Sequence, residues 1–264
     1  MRTTVAAAGE PLLVEVDGRA GSVSDVGKPG MLPRGHLTSA QVRDGAVRGL
    51  DLHLTRLAEA HEQLFGSALD TAAVRLLMAR AVREHPDAYL RVTVDETPSG
   101  APRVVTVVRP PLEAPTAPQS VAPTAYVRAL PEVKHTGSYG QSVHGDAAVR
   151  KGYDDVLLIA PDGQLAETSV ANIGFLRAGR VVWPSGPALL GITWQLLDLA
   201  LAAAGTPATV ERIRQDDKRG FEGAFLSNSL GVAPVGRIGT HAFADPEASS
   251  FLVDLYAAVP WDEL

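Results

Sequence analysis

The 264-residue chain contains no cysteine. Disulfides, thiolate metal sites and cysteine nucleophiles are thereby excluded, no metal is expected, and the composition suits a reducing cytoplasm. Long apolar runs are missing too. No stretch of about 18 uncharged apolar residues occurs, so no transmembrane helix is expected. The opening residues, Met1-Arg-Thr-Thr-Val-Ala-Ala-Ala-Gly-Glu-Pro11, carry one arginine and a short alanine run. They lack the apolar core of roughly 7–15 residues that a secretory signal needs. A formal net charge of −6 argues against a general nucleic-acid binder. Several motifs are absent as well: G-x-S-x-G, H-E-x-x-H, the Walker A loop and G-x-G-x-x-G. Their absence removes the α/β-hydrolase, zincin, P-loop and Rossmann readings. No internal repeat is visible.

What is present reads as a globular chain, with 45% hydrophobic and 20% charged residues. Residues 11–17 alternate weakly and read as a strand ending at Asp17-Gly18. Residues 36–43 read as a second strand, closed by the hairpin signal Asp44-Gly45. Leu50, Leu54, Leu57 and Leu64 share one helical face. A second helix is expected over 71–85, stopped by Pro86, and residues 89–94 return to a strand. Pro110-Pro-Leu-Glu-Ala-Pro-Thr-Ala-Pro118 is stiff and poor in either signal, the best linker in the chain. Beyond it, strands are expected at 125–133, 155–160, 172–177 and 180–183, with turns at Asp162-Gly163 and Ala178-Gly179. A helix over 193–204 ends at Gly205 with Pro207 beyond. Short strands at 225–226 and 235–238 precede a helix at 248–256. The class is α+β in two domains: a small N-terminal α/β domain over 1–112, a linker over 113–122 and a larger domain over 123–264.

Lysine is scarce: Lys28, Lys134, Lys151 and Lys218 are the only four. Lys134 closes Ala125-Tyr-Val-Arg-Ala-Leu-Pro-Glu-Val-Lys134, in a neighbourhood otherwise poor in lysine. A lone lysine is ordinarily a solvated surface residue; one that forms an imine needs a partly desolvated site. Glu167 lies in Asp162-Gly-Gln-Leu-Ala-Glu-Thr-Ser-Val-Ala-Asn172. By itself it reads as a surface strand glutamate, but a carboxylate here could pair with a pyridinium nitrogen. Gly191-Ile192-Thr193 opens an apolar helical run. It reads either as an ordinary cap or as a helix N-terminus that can hold a phosphate. A lysine, a carboxylate and a helix entrance in this order are the parts of a pyridoxal phosphate site. Arg56, on one helix face with His53, could add an always-charged phosphate ligand. The turn Ser227-Asn228-Ser229 offers hydroxyls and amides.

These residues together resemble the class IV aminotransferases, the fold-type IV pyridoxal phosphate enzymes. That group includes branched-chain and D-amino-acid aminotransferases and 4-amino-4-deoxychorismate lyase. The likeness runs from about residue 33 to 240. H-x-x-R-L falls on His53, Arg56 and Leu57, and G-x-x-x-E-x-x-x-x-N on Gly163, Glu167 and Asn172. L-x-G-I-T falls on Leu189, Gly191, Ile192 and Thr193. The late polar turn falls on Ser227 to Ser229, before Pro234-Val235. The resemblance implies a D-amino-acid aminotransferase-like fold, pyridoxal 5′-phosphate as cofactor, and a homodimer in the cytoplasm. It also implies an amino donor and a keto acceptor as small-molecule partners. Lys134 would hold the cofactor as an internal aldimine and then shuttle the proton. Glu167 would keep the ring nitrogen protonated, and Tyr139 would bond the phenolic oxygen. Arg56, Ile192, Thr193 and Ser229 would hold the phosphate, and Asn172 completes the cofactor set. Tyr89, Arg91, Ser227 and Asn228 would meet the substrate.

Two features point to different members. Residues 35–45, the Lys134-His135 pair and Phe225-Leu-Ser-Asn-Ser-Leu230 look like the lyases. Tyr89-Leu90-Arg91 and Tyr139 look like the aminotransferases. The reading is an aminotransferase, with the lyase as the alternative. Two departures from the family stand out. Trp183-Pro184 replaces the usual Thr-Pro, and Trp194 replaces the arginine that often follows Gly-Ile-Thr. If both indoles face the cofactor, they change the shape of its pocket.

Overall fold

The computed structural model describes residues 10–22 and 34–264. The expectation of no leader at residues 1–9 and the lysine at 28 lie outside them. The chain forms two compact units. One comprises 10–22, 34–112, Val133–Gly137 and Pro260–Leu264; the other comprises Glu113–Glu132 and Ser138–Val259.

The first unit is built on strands β1 (Leu13–Val16), β2 (Arg19–Ala20), β3 (Gly35–Val42), β5 (Ala88–Glu96) and β6 (Pro102–Arg109). They form an antiparallel sheet in the order β2-β1-β6-β5-β3. Asp44 and Gly45 both take positive φ, 49° and 76°, as a two-residue hairpin turn demands. The hairpin closes only onto the short β4 (Ala46–Val47). The apolar helical spacing resolves into α1 (Leu50–Phe65) and α2 (Thr71–Val82). Asp70 caps α2 by accepting the Ala73 N–H at 2.9 Å. Leu50 and Leu57 of α1 and Val74, Met78 and Ala81 of α2 cover one face of the sheet, against Ala40, Val42, Leu90, Val92 and Val94. That burial leaves the alternate positions for the other face.

In the second unit, strands β7 (Gln119–Ala125), β8 (Asp155–Ile159), β9 (Leu165–Thr168), β10 (Asn172–Arg177), β13 (Gly223–Asn228) and β14 (Gly231–Ile238) pair in a ring. The ring closes where Asn172 of β10 sits opposite Glu167 of β9. Its interior is apolar, lined by Val121, Leu157, Ile173, Phe175, Leu226 and Val235 among others. Strands β11 (Arg180–Pro184) and β12 (Thr209–Glu211) extend the sheet beyond β10, and the short β15 (His241–Ala242) folds back on β14. Helix α3 (Tyr139–Arg150) crosses between β7 and β8, which run parallel. Helix α4 (Ile192–Ala203) packs with α5 (Phe251–Ala257) over Trp183 and Phe225. No helix among the described residues is long and apolar enough to cross a membrane.

Three expectations need correction. Residues 126–133 are not a strand; the strand comes earlier, as Gln119–Ala125, and takes up the end of the expected linker. Residues 139–150, for which no element is expected from the sequence, form α3. Gly140 is needed for packing: a side chain there would collide with the Tyr126 hydroxyl. Lys134, expected in the domain over 123–264, belongs to the first unit. Backbone bonds from Leu37 N to Lys134 O and from Thr136 N to Gly35 O, both 2.8 Å, bind its segment to the edge of β3.

Candidate active site

The first unit holds the basic candidates. Segment 134–136 adjoins β3, and the His36–His135 bridge fixes its register. Lys134 is thus half-buried beside a rigid sheet rather than in a solvated loop. On α1, His53 and Arg56 lie one turn apart. Thr38 Oγ1 and His53 Nδ1 are 2.6 Å apart, which fixes the imidazole. Burial, reinforced by the nearby Arg56 and Lys134 cations, pushes the His53 pKa down to about 3. Arg56 is itself desolvated, and burial lowers its pKa from 12.5 to about 10, offset by Glu59. Neutral His53 beside two cations therefore leaves the positive charge on Lys134 and Arg56, the groups suited to an anion.

Tyr89 and Arg91 alternate along β5 and stand opposite Gln41 and Ser39 of β3 and Arg109 and Val107 of β6. Their positions lie on the sheet face away from α1 and α2, since Leu90 and Val92 take the helix side. Burial is the main cause that lowers the Arg91 pKa, with Arg109 adding to it and Tyr89 opposing. The strand period thus presents a partly desolvated cation and a phenol together.

The second unit holds a carboxylate and a helix entrance. Glu167 is 7% exposed. Its Oε1 accepts from Arg128 Nε at 3.0 Å, and its Oε2 accepts the Leu189 N–H at 3.1 Å. Arg128, 6% exposed, also donates to the carbonyls of Leu130 and Pro131. Nothing in the sequence singled out Arg128; its only signal is a charge in an otherwise apolar stretch. Each carboxylate oxygen accepts one bond here and keeps a lone pair for a further donor.

Asn172 does not reach outward. Its Nδ2 donates to Leu189 O at 2.6 Å, and its Oδ1 lies where a Cβ at residue 191 would sit. Glycine at 191 is therefore a packing requirement. Glu167 and Asn172 grip the 189–191 stretch from both sides and aim the start of α4. Gly191, as the N-cap of α4, offers no side-chain acceptor to the first-turn N–H groups. Thr193 Oγ1 donates to Asn228 O at 2.6 Å and ties that first turn to the 227–231 turn. Asn228 Oδ1 accepts the Leu230 N–H at 2.8 Å and so stabilises its own turn. Ser227 Oγ is buried without a partner. Ser229 is half-buried, and Tyr139, at the start of α3, is 83% exposed.

The structure thus joins the Glu167, Asn172, Gly191-Ile-Thr193 and Ser227–Ser229 motifs in one unit and Lys134, Arg56, Tyr89 and Arg91 in the other. It also answers the condition attached to the tryptophans. Trp183 and Trp194 are 0% and 8% exposed and belong to an apolar cluster under α4. They face the core.

The Amino-transferase class IV pattern matches residues 35–238, and the chain belongs to that family. It is a pyridoxal phosphate enzyme of fold type IV. Solved structures agree on the fold. The branched-chain aminotransferase of the thermophilic archaeon Thermoproteus uzoniensis, with norvaline, is 19% identical with a TM-score of 0.80, covering 94% of this chain and 94% of its own. The 4-amino-4-deoxychorismate lyase of Pseudomonas aeruginosa is 22% identical with a TM-score of 0.78, covering 92% and 97%. A fold IV transaminase of Curtobacterium pusillum is 22% identical with a TM-score of 0.74, covering 84% and 86%. No curated protein sequence matches the chain.

The residues fit the cofactor. The start of α4 presents backbone donors without a side-chain cap, and Ser227 Oγ is an orphaned buried hydroxyl on the adjoining turn. Glu167 is a buried carboxylate held by two donors, the chemistry a ring nitrogen requires.

Proposed function

We propose that the chain is an aminotransferase acting on an amino acid or a related amine, with a keto acid as acceptor, as a homodimer in the cytoplasm. The observation that carries this reading is the pairing of Tyr89 and Arg91 on one face of β5. A half-buried guanidinium there gains most when a substrate carboxylate replaces its lost water.

Bound pyridoxal phosphate supplies an electron sink for the substrate Cα. Lys134 Nζ would hold the cofactor, and would take the proton from the substrate Cα and return it as general acid/base. Neutral His53 orients nearby groups without competing for that proton. Arg56 and the backbone N–H groups of Ile192 and Thr193 bind the phosphate, with Ser229 alongside. Glu167, paired with Arg128, would keep the ring nitrogen protonated. Tyr139 is assigned to the phenolic oxygen. Ser227 and Asn228 flank the substrate.

The lyase is the second reading, favoured by the Lys134-His135 pair. In it, Lys134 returns its proton after pyruvate leaves. The deciding experiment is a half-reaction screen with D- and L-amino acids, aromatic amines and aminodeoxychorismate. Conversion of the cofactor to its amine form by a plain amino acid supports the aminotransferase. Pyruvate release from aminodeoxychorismate without an acceptor overturns it. In the same assay, Arg91→Ala is expected to weaken amino- and keto-acid binding by about 1.5–3 kcal/mol, the range for a hydrogen bond to a charged group. Cofactor affinity is expected to hold. Lys134→Ala is expected to remove the borohydride-reducible cofactor linkage; a linkage that persists assigns the wrong lysine.

A further inference from the structure

Asp198 sits in the second turn of α4, where the cofactor chemistry gives it no task. Both of its oxygens are used. Oδ1 accepts from Trp183 Nε1 at 2.7 Å, and Oδ2 accepts from Trp194 Nε1 at 2.9 Å. The two indoles are stacked, 4.3 Å between centroids with 16° between planes. Trp183 comes from β11 and is wedged edge-on against Phe225 of β13, 5.1 Å away at 70°. Trp194 is the third residue of α4, so it lies in the turn whose N–H groups point out of the helix start. One carboxylate therefore fastens the first turn of α4 to the sheet. Thr193, one residue earlier, fastens the same turn to Asn228.

Burial pushes the Asp198 carboxyl up, and the two indole bonds oppose that shift. A half-buried carboxylate on a core-facing helix position is costly to place. Two large apolar residues could fill the space without it. The clamp gives orientation that packing alone does not: the Asp198 bond to Trp183 and the stack of Trp194 on Trp183 join α4 to β11 at two points one turn apart, and the bond within α4 from Trp194 to Asp198 holds the carboxylate and that indole in place, so the rotation of α4 about its axis is defined. That rotation decides where the N–H groups of Ile192 and Thr193 point.

We propose that Asp198 is a positioning residue for phosphate recognition, acting through Trp183 and Trp194 to hold the first turn of α4 in register with a phosphate dianion. This rests on the reading above that the α4 entrance takes the cofactor's phosphate. Asp198 itself touches neither cofactor nor substrate. The clamp is built from both tryptophans that depart from the usual family pattern.

The test compares pyridoxal phosphate with pyridoxal, which lacks the phosphate, by equilibrium binding to the wild type, Asp198→Asn and Asp198→Asn/Trp194→Phe. In Asp198→Asn the amide N–H₂ faces an indole N–H, donor against donor. The double variant removes that clash. Near-ultraviolet circular dichroism of the stacked indoles reports whether the clamp has opened. Asp198→Asn is expected to weaken pyridoxal phosphate by about tenfold, equivalent to ~1.4 kcal/mol, with pyridoxal affinity unchanged. The double variant is expected to recover part of the loss. Equal losses for both ligands, or no loss while the indole signal collapses, overturn the proposal and leave Asp198 a packing residue. A wild type that binds the two ligands equally tightly would instead sink the assignment of the phosphate to α4.

Discussion

The two units hold their site residues by opposite means. In the first, the functional groups are bases and cations moved out of water. His36, His53, Arg56 and Arg91 are all shifted downward, with burial the leading cause in each. In the second, the carboxyls taken out of water, Asp155 and Asp198, go upward for the same reason, exposed Asp162 is lowered by hydrogen bonds from Gln164 and Arg212, and Glu167 is secured by a buried ion pair. The groups of the first unit are thus set by withheld solvation and those of the second by directional hydrogen bonds. Cations with little hydration bind anions readily. A fixed carboxylate and a fixed helix start bind by geometry.

The contrast predicts different responses to acid, the largest effect expected. A histidine whose folded pKa lies below its unfolded value binds fewer protons folded than unfolded. Its stability contribution is complete above pH 6.5 and is lost as pH falls toward the folded pKa, about 4 for His36 and about 3 for His53. At about 1.4 kcal/mol per unit, each site costs on the order of 3 kcal/mol or more at the low end of that window. His36 adds a structural cause: its Nε2 is 3.2 Å from His61 Nδ1, and its Nδ1 is buried without a partner, so a second proton has no acceptor. Asp155 and Asp198 work the other way. Their raised pKa values mean that the folded state keeps protons the unfolded state releases, so acid relieves a burden in the second unit. His241, shifted down by partial burial and by Lys218 and Arg219, and exposed Asp162, shifted down by bonds from Gln164 and Arg212, oppose this from the surface. Hydrogen exchange between pH 7 and pH 4 is expected to deprotect α1 and β3 before β10 and β13. The reverse order would break the comparison.

The ion pair supplies the next effect. Arg128→Ala leaves Glu167 buried with only the Leu189 N–H, and breaking a buried pair on one side costs about 3–5 kcal/mol. Urea unfolding at pH 7 should show that loss. Glu167→Gln/Arg128→Met removes both charges and is expected to recover much of the stability without recovering turnover. A loss below about 1 kcal/mol for Arg128→Ala would mean that solvent reaches the pair, as in exposed ion pairs.

Much of this arrangement was legible before the structure, for a local reason. The Lys134, Glu167 and Gly191-Ile-Thr193 motifs are contiguous stretches whose residue order carries the chemistry. Periodicity found α1, α2 and α4 because each buries a defined apolar stripe. It missed α3, whose buried positions within the helix are only Gly145 and Ala148. It misplaced the strand near 125 because Pro131 and the positive φ of Leu130 end any ladder there, whereas β7 starts directly after Pro118. Arg128–Glu167 spans 39 residues, and Asp198 reaches back 15 residues to Trp183. Such pairs exist only once the sheet has brought the strands together. For the same reason the direction in which the tryptophans face stays open in the sequence, which shows their neighbours in the chain but not their partners in space.

The smallest effect sharpens the comparison at the start of α1. Its N-cap, Gly49, has a left-handed backbone and provides no side-chain cap. The acceptor comes instead from 212 residues away: Asp262 Oδ2 takes the Leu50 N–H at 3.0 Å. Around it, β16 (Asp262–Glu263) pairs with β4, Arg75 donates to Glu263 O, Arg48 lies 4.0 Å over the Trp261 ring, and Leu264 packs on the core under α1. A carboxylate at a helix N-terminus also meets the positive end of the dipole. Asp262→Ala is therefore expected to cost about 1 kcal/mol, the usual loss of a capping side chain. The loss should be confined to the first unit. Asp262→Asn, which keeps an acceptor but no charge, should recover roughly half. Because α1 carries His53 and Arg56, loosening its start should also speed hydrogen exchange at Leu50 to His53 while leaving β10 untouched. Equal exchange in both variants and wild type would show that β16 pairing, and not the carboxylate, anchors the helix.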